Sequence, residues 1–374
     1  MTGALPPGKT GVITVDLGAL AANWRALAAL VDPAECAAVV KANAYGLGAA
    51  RVIPALAAAG CGTFFVATAD EAGEARGLAP GARLFVLDGL LPGGACPLAE
   101  AGATPVLSSL EEIDEWRAFA KAQGMRLPCA LQVDSGLNRL GLTAACSGVL
   151  AAEPHRLDGL DLRLVMSHLA CADDPTHPLN ARQRVAFDRQ RAFFPGVPAS
   201  LAASDGLMLG ADFHYDLVRP GYALYGGQAF GGGPTPVSPV VTVEARVLQI
   251  RTLTSGESVG YSATWEAARP TRLAVVAAGY ADGFARALSV ASGGAGWAVH
   301  VAGEAAPVVG RVSMDLITVD ITDLAGDVRR GDLVTLIGPG ATLEAMGHAA
   351  GTIGYEVLTR LGTRFARRYV GAPA

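Results

Sequence analysis

At 374 residues the chain is long enough for two domains, and its 51% hydrophobic content is that of a folded globular protein. A net charge of -5 without a basic stripe argues against a nucleic-acid partner and leaves small molecules as the expected ligands. No apolar run reaches membrane-spanning length, no signal peptide is recognisable, and the six cysteines never stand as C-x-x-C, so a cytoplasmic protein with reduced thiols and no metal centre is expected.

Residues 12–16 read as a short strand, belonging either with the strands of the first domain or with a later β domain. Residues 17–31 carry Leu20, Trp24, Leu27 and Leu30 at helical spacing. An alternation then begins, with apolar strand candidates at 36–40, 63–67, 83–87, 104–107, 129–134, 162–167, 199–203 and 215–219, separated by plausible helices. The clearest helix is 111–123, opened by a capping-box pattern from Ser109 to Glu112 and closed at Gly124; 180–194 is another.

Eight strands alternating with helices predict an α/β fold built as an eight-stranded parallel (β/α)8 barrel over residues 1–235, with a doubly wound open sheet as the competitor. The count favours the barrel. After Gly226 the stretch G-G-Q-A-F-G-G-G-P-T-P-V-S-P (226–239) is a turn-rich joint, and short β runs come after it at 240–250, 273–278, 308–312, 317–321 and 333–337. They predict a second, mostly-β domain over 236–374.

In such a barrel the active site lies where the strands end, so the polar residues that close each run form one group. The first run ends on Lys41 inside V-V-K-A-N-A-Y-G-L-G (39–48). The chain has three lysines, Lys9, Lys41 and Lys121, against 26 arginines, so a lysine kept here suggests a need for an amine that can lose its proton and form imines with carbonyl compounds. Tyr45, Gly46 and Gly48 supply a hydroxyl and close backbone approach, which suit an anion such as phosphate. Later run ends contribute Arg139, Ser167 with His168, Ser204, and Arg219 within R-P-G-Y. Each alone has a plain alternative: a solvated lysine, a surface arginine, a satisfied core histidine, a helix-capping serine. Together they suit a phosphorylated carbonyl cofactor.

The stretches 39–48, V-D-S-G-L-N-R-L-G (133–141), S-H-L-A (167–170), V-R-P-G-Y-A-L-Y-G (218–226), V-G-Y-S-A-T-W (259–265), A-G-Y-A-D-G (278–283), G-R-V-S-M-D (310–315) and T-I-G-Y-E-V-L-T-R-L-G (352–362) closely resemble the alanine racemase family over essentially the whole chain. Those enzymes use pyridoxal 5'-phosphate on an α/β barrel followed by a β domain.

The resemblance implies that Lys41 forms the imine with the cofactor and serves as one acid/base group, while Tyr261, supplied by the partner in a head-to-tail homodimer, serves as the other. It implies a relay from Tyr261 through His168 to Arg219, with Arg219 facing the pyridine nitrogen. Phosphate contacts would fall to Tyr45, Ser204, the backbone of Gly221 and Tyr222, and Tyr355. Arg139 would meet the cofactor's phenolic oxygen and the substrate carboxylate, Met314 the carboxylate through its backbone, and Tyr280, Arg286, Arg311 and Asp315 would line the substrate passage.

The implied activity is interconversion of L- and D-alanine for peptidoglycan. A racemase that is broader or prefers serine is the near alternative, and a non-catalytic carrier of the same cofactor the distant one. Two positions depart from the family pattern. Ala203 stands where asparagine is common, and Gln132 where many members have a carbamylated lysine, so Gln132 is expected to support Arg139 as an uncharged carbonyl acceptor.

Overall fold

The computed structural model describes residues 5–228, 235–294 and 296–371, so the middle of the glycine- and proline-rich joint lies outside the described residues. The chain divides into two compact units, one formed by Leu20–Ser238 and the other by residues up to Ala19 together with those from Pro239 onward.

In the first unit a seven-stranded parallel sheet runs in chain order through Ala38–Val39, Thr63–Val66, Arg83–Val86, Thr104–Leu107, Leu127–Gln132, Leu160–Met166 and Ala199–Ser200. Thr63–Val66 and Thr104–Leu107 are buried at every position, as strands covered on both faces must be. Between the strands run helices such as Ala49–Ala59, Ala69–Leu78, Leu110–Gln123 and Pro178–Arg191. Ser109 accepts the Glu112 amide at 3.1 Å, as the capping pattern predicts, and Gly124 closes that helix in the left-handed region.

A two-stranded parallel pair, Glu35–Cys36 with Leu217–Val218, continues the same ladder. The amides of Glu35, Ala37 and Val39 donate to Asp216, Val218 and Pro220, while Val40 donates to Phe65 on the other side. Arg219 in turn donates to Ala202 at 2.9 Å. This is a TIM-like α/β barrel. Several ladders are shorter than the apolar runs suggest: 36–40 is divided at Ala37, 199–203 narrows to Ala199–Ser200, and 215–219 to Leu217–Val218. Pairing nonetheless reaches past the regular strands, since Val40 donates to Phe65 and Ala203 forms a lone parallel bridge with Arg219.

The second unit is an eight-stranded sheet, antiparallel except for one pairing. Its long strand Val241–Leu253 bonds to Leu333–Ile337 with its first half and to Thr271–Val276 with its second, which closes six strands into a ring. Gly11–Asp16 lies in this sheet, antiparallel to Val241–Leu253 and parallel to Ala366–Val370. Gly11, Val12, Ile13 and Val15 are its buried positions.

Candidate active site

Lys41 lies just beyond the strand rather than at its last ladder position, and it opens a left-handed turn. Ala42, Asn43, Ala44 and Tyr45 have φ of 53, 54, 53 and 56°, succeeded by Gly46 at 82°. For residues with a Cβ this geometry costs about 1–2 kcal/mol each, so the surroundings must impose it. Within the turn Ala44 donates to Val40 and Gly46 to Ala42, and the Asn43 side chain accepts from Ala49 at 2.7 Å, capping the helix Ala49–Ala59. From outside, Glu71 accepts the Ala42 amide at 2.6 Å and the Ala67 amide at 2.7 Å. Burial lowers the Lys41 amine and Arg139 lowers it further, while Asp88 and Glu71 pull it back up. The result is a lysine readier to be neutral than an ordinary one.

Beside this turn lies a hydroxyl-lined cradle. The buried Tyr45 ring meets Tyr225 at 4.8 Å, and the Tyr225 hydroxyl donates to Val39 at 3.1 Å. Burial raises the Tyr45 phenol, which keeps it protonated as a donor. The Ser204 hydroxyl accepts from the amides of Gly221 and Ala223 at 3.0 and 3.1 Å. A Cβ on Gly221 would lie 2.2 Å from the Tyr45 hydroxyl, so only glycine lets these groups converge. Gly221→Ala is therefore expected to cost about 1–3 kcal/mol through overpacking. It should be read as a lower unfolding temperature together with easier loss of bound pyridoxal phosphate on dialysis; a variant matching the parent in both would mean that the cradle has slack.

Two arginines make the pocket cationic, and a histidine lies with them. Arg219 is 3% exposed and donates to the Ser200 hydroxyl and to the carbonyls of Ser167 and Leu201, so every acceptor it has here is uncharged. Burial pushes its guanidinium down to about 9, which still leaves it charged at neutral pH. His168 is held down to about 3 by burial first and then by Arg219, Arg139 and Lys41, so it is a neutral imidazole at neutral pH. Arg139 stands in the loop after Leu127–Gln132, where Asp134 accepts from the amides of Gly136, Leu137 and Asn138 at 2.9, 3.0 and 3.1 Å. Gln132 departs from expectation. Its side-chain amide donates to the Leu140 carbonyl at 2.9 Å, one residue past Arg139, and no hydrogen bond joins it to the guanidinium.

Lys41, Tyr45, Arg139, His168, Ser204, Arg219, Gly221 and Tyr222 all belong to the barrel unit and sit where strands give way to loops. Tyr261, Tyr280, Met314 and Tyr355 belong to the other unit. Tyr261 is 70% exposed, in a turn opened by Gly260 at φ 74°, with Gly260 against Arg311. Tyr280 and Ala281 donate to the carbonyls of Ser313 and Met314, both at 3.0 Å. Arg364 grips the buried Asp282 at 2.8 and 2.7 Å and reaches Asp315 at 2.6 Å, so one cation holds the 280 and 314 loops together. Tyr355 is half-buried in the helix Gly354–Thr359.

Sequence reasoning missed Glu71 and Ser200. Glu71 had a signal, a second capping-box pattern from Thr68 to Glu71, and Thr68 does accept the Glu71 amide at 3.3 Å. Ser200 had none, since a serine inside an apolar strand looks like any other.

A parallel barrel presenting a depressed lysine amine, a hydroxyl cradle and a cationic pocket at its strand ends defines a class of enzyme that holds an anionic carbonyl compound through an amine. Residues 15–229 match the model of the alanine racemase N-terminal domain and residues 240–369 that of the alanine racemase C-terminal domain. The chain belongs to the alanine racemase family. It is 49% identical over 371 residues to an alanine racemase from Methylobacterium sp. (strain 4-46), covering 99% of this chain and 100% of that protein. It is 48% identical to an alanine racemase named as catabolic from Mesorhizobium japonicum, covering 96% and 93%. A crystal structure of the Bartonella henselae alanine racemase with covalently bound pyridoxal phosphate superposes with a TM-score of 0.92 at 42% identity, covering 96% of this chain and 99% of that one.

Proposed function

We propose that this protein is a pyridoxal 5'-phosphate-dependent alanine racemase that interconverts L- and D-alanine by a two-base mechanism. The observation that carries the reading is Lys41, an amine lowered by burial and by Arg139, in a pocket whose innermost cation, Arg219, has only uncharged hydrogen-bond partners. That excess of positive charge fits a cofactor bearing a phosphate and a phenolic oxygen.

Lys41 would hold the cofactor through its amine. Tyr45, Ser204, Gly221, Tyr222 and Tyr355 would take the phosphate, Arg219 the ring nitrogen, and Arg139 the phenolic oxygen. Bound pyridoxal phosphate supplies the electron sink that lets the α-hydrogen of alanine leave as a proton.

The residues supply the two faces of that transfer. Racemisation needs one group to take the proton and another to return one on the opposite side of the α-carbon. The Lys41 amine acts on one face and the Tyr261 hydroxyl on the other. A neutral His168, which lies within the electrostatic reach of Arg219 although the guanidinium bonds here to Ser200, Ser167 and Leu201, would link Tyr261 to Arg219 once the tyrosine docks, and a guanidinium that keeps its proton favours return of the proton to carbon. Arg139 and the Met314 backbone orient the substrate carboxylate, and Tyr280 lines its passage.

We read the two parallel sheets as one closed ring of eight strands, with residues 1–235 as the barrel domain apart from the strand at 11–16, and 236–374 as the β domain. The exposed aromatic and apolar side chains Tyr261, Tyr280, Met314 and Leu316 are what a β domain docking on a partner copy would carry, which supports a head-to-tail homodimer with shared sites. Among the described residues no helix is long and apolar enough to cross a membrane, all six cysteines are free, and we assign the protein to the cytoplasm and its D-alanine to peptidoglycan.

Purified protein given pyridoxal phosphate and L-alanine should produce D-alanine to an equal mixture, followed by chiral chromatography. Faster turnover of L-serine than of L-alanine would replace the substrate assignment.

A further inference from the structure

Four consecutive residues with side chains in the left-handed region, directly after the lysine, form the most strained backbone in the barrel unit's site. Such a turn persists only if something outside it holds it. The Glu71 carboxylate does so from the first turn of the helix Ala69–Leu78. In an ordinary capping box the third-position glutamate reaches back only to the start of its own helix. Here the two oxygens divide: Oε2 takes the Ala67 amide at 2.7 Å, and Oε1 leaves its own helix to take the Ala42 amide at 2.6 Å. Ala42 adjoins the lysine directly and is the first left-handed residue, so its amide marks where the chain turns.

We propose that Glu71 is a positioning residue that clamps the left-handed turn and so aims the Lys41 side chain into the cofactor site. The inference rests on Lys41 being the cofactor-holding lysine. A second observation is consistent with it. Of the charged groups facing the Lys41 amine, Arg139 lowers it while Asp88 and Glu71 raise it, so the clamp also moderates the amine's loss of charge. Neutral glutamine at position 71 would keep one acceptor oxygen and present an NH2 to the other amide, so it can serve Ala67 or Ala42 but not both.

The test uses Glu71→Gln, Ala42→Gly and the double variant as full-length chains, stripped of cofactor for the titration and reloaded as holoenzyme for exchange and kinetics, since glycine adopts the left-handed region without strain. Two readouts are taken: the dissociation constant for pyridoxal phosphate by absorbance titration, and amide hydrogen exchange of the peptide covering 41–47. Glu71→Gln should raise the dissociation constant about tenfold, the loss of one charge-assisted hydrogen bond. It should also speed exchange in that peptide while leaving KM for alanine within about twofold. Adding Ala42→Gly should restore the affinity to within about threefold of the parent, because the strain the clamp opposed is gone.

A purely structural role in the helix Ala69–Leu78 would give no such rescue. Unchanged affinity and exchange in Glu71→Gln, or a loss that Ala42→Gly does not relieve, would overturn the proposal. The exchange measurement keeps its meaning even if borohydride reduction were to map the cofactor to another lysine, so failure of the cofactor assignment is distinguishable from failure of the clamp.

Discussion

Lys41→Ala should lose racemisation by about four orders of magnitude or more in kcat. Positioned acid/base catalysis alone contributes about 10²–10⁴-fold, and this side chain is asked both to hold the cofactor and to move a proton. Alanine leaves the barrel intact because Lys41 lies beyond the ladder and is only partly buried, so little packing is removed. Borohydride reduction of the parent and subsequent peptide mapping should place the pyridoxyl group on Lys41. Finding it on Lys9 or Lys121, or finding substantial turnover in the variant, would move the chemistry elsewhere.

Tyr261→Ala is the second large effect, an expected loss of about 10²–10⁴-fold in racemisation in both directions, because each direction needs this group either to take the proton or to return it. The side chain is 70% exposed in its own chain, so removing it should cost little stability, and the loss would be chemical. If Tyr261 serves the partner's lysine, Lys41→Ala and Tyr261→Ala chains unfolded together and refolded should recover activity. Random pairing makes about half the dimers mixed, each with one intact site of two, so about a quarter of parental activity returns. Mixed dimers verified by mass spectrometry but devoid of activity would assign the tyrosine to its own subunit.

Strand ends were legible because parallel strands buried on both faces read as apolar runs and the residues closing them are polar; that alone brought Lys41, Arg139, His168, Ser204 and Arg219 into one group. The left-handed turn was not legible. Alanine has no preference for positive φ, and A-N-A-Y reads as an ordinary turn, because the cause sits at Glu71, 29 positions along the chain from Ala42. Gln132 was misjudged for a related reason. Its chemistry as an acceptor was sound, but the partner within reach is the Leu140 carbonyl, and a carbonyl selects the other end of the amide. The strands within 36–40, 199–203 and 215–219 are shorter than the apolar runs because beyond them only single bonds and the lone Ala203–Arg219 bridge continue the pairing, which hydropathy does not register.

The strand Gly11–Asp16 gives the chain an order of assembly. It leaves the ribosome well before its ladder partners, Val241–Ala245 on one side and Ala366–Val370 on the other. At about 5–20 residues per second, the nearer partner emerges some 10–50 seconds later. During that interval a nascent apolar segment, with Val12, Ile13 and Val15 destined for the core, has both edges unpaired, which makes it a natural substrate for a holding chaperone. Residues Leu20–Ser238 emerge within the same interval and contain every strand of the barrel unit. The β unit, knitted from segments on either side of the barrel unit, is completed only once Ala366–Val370 has emerged.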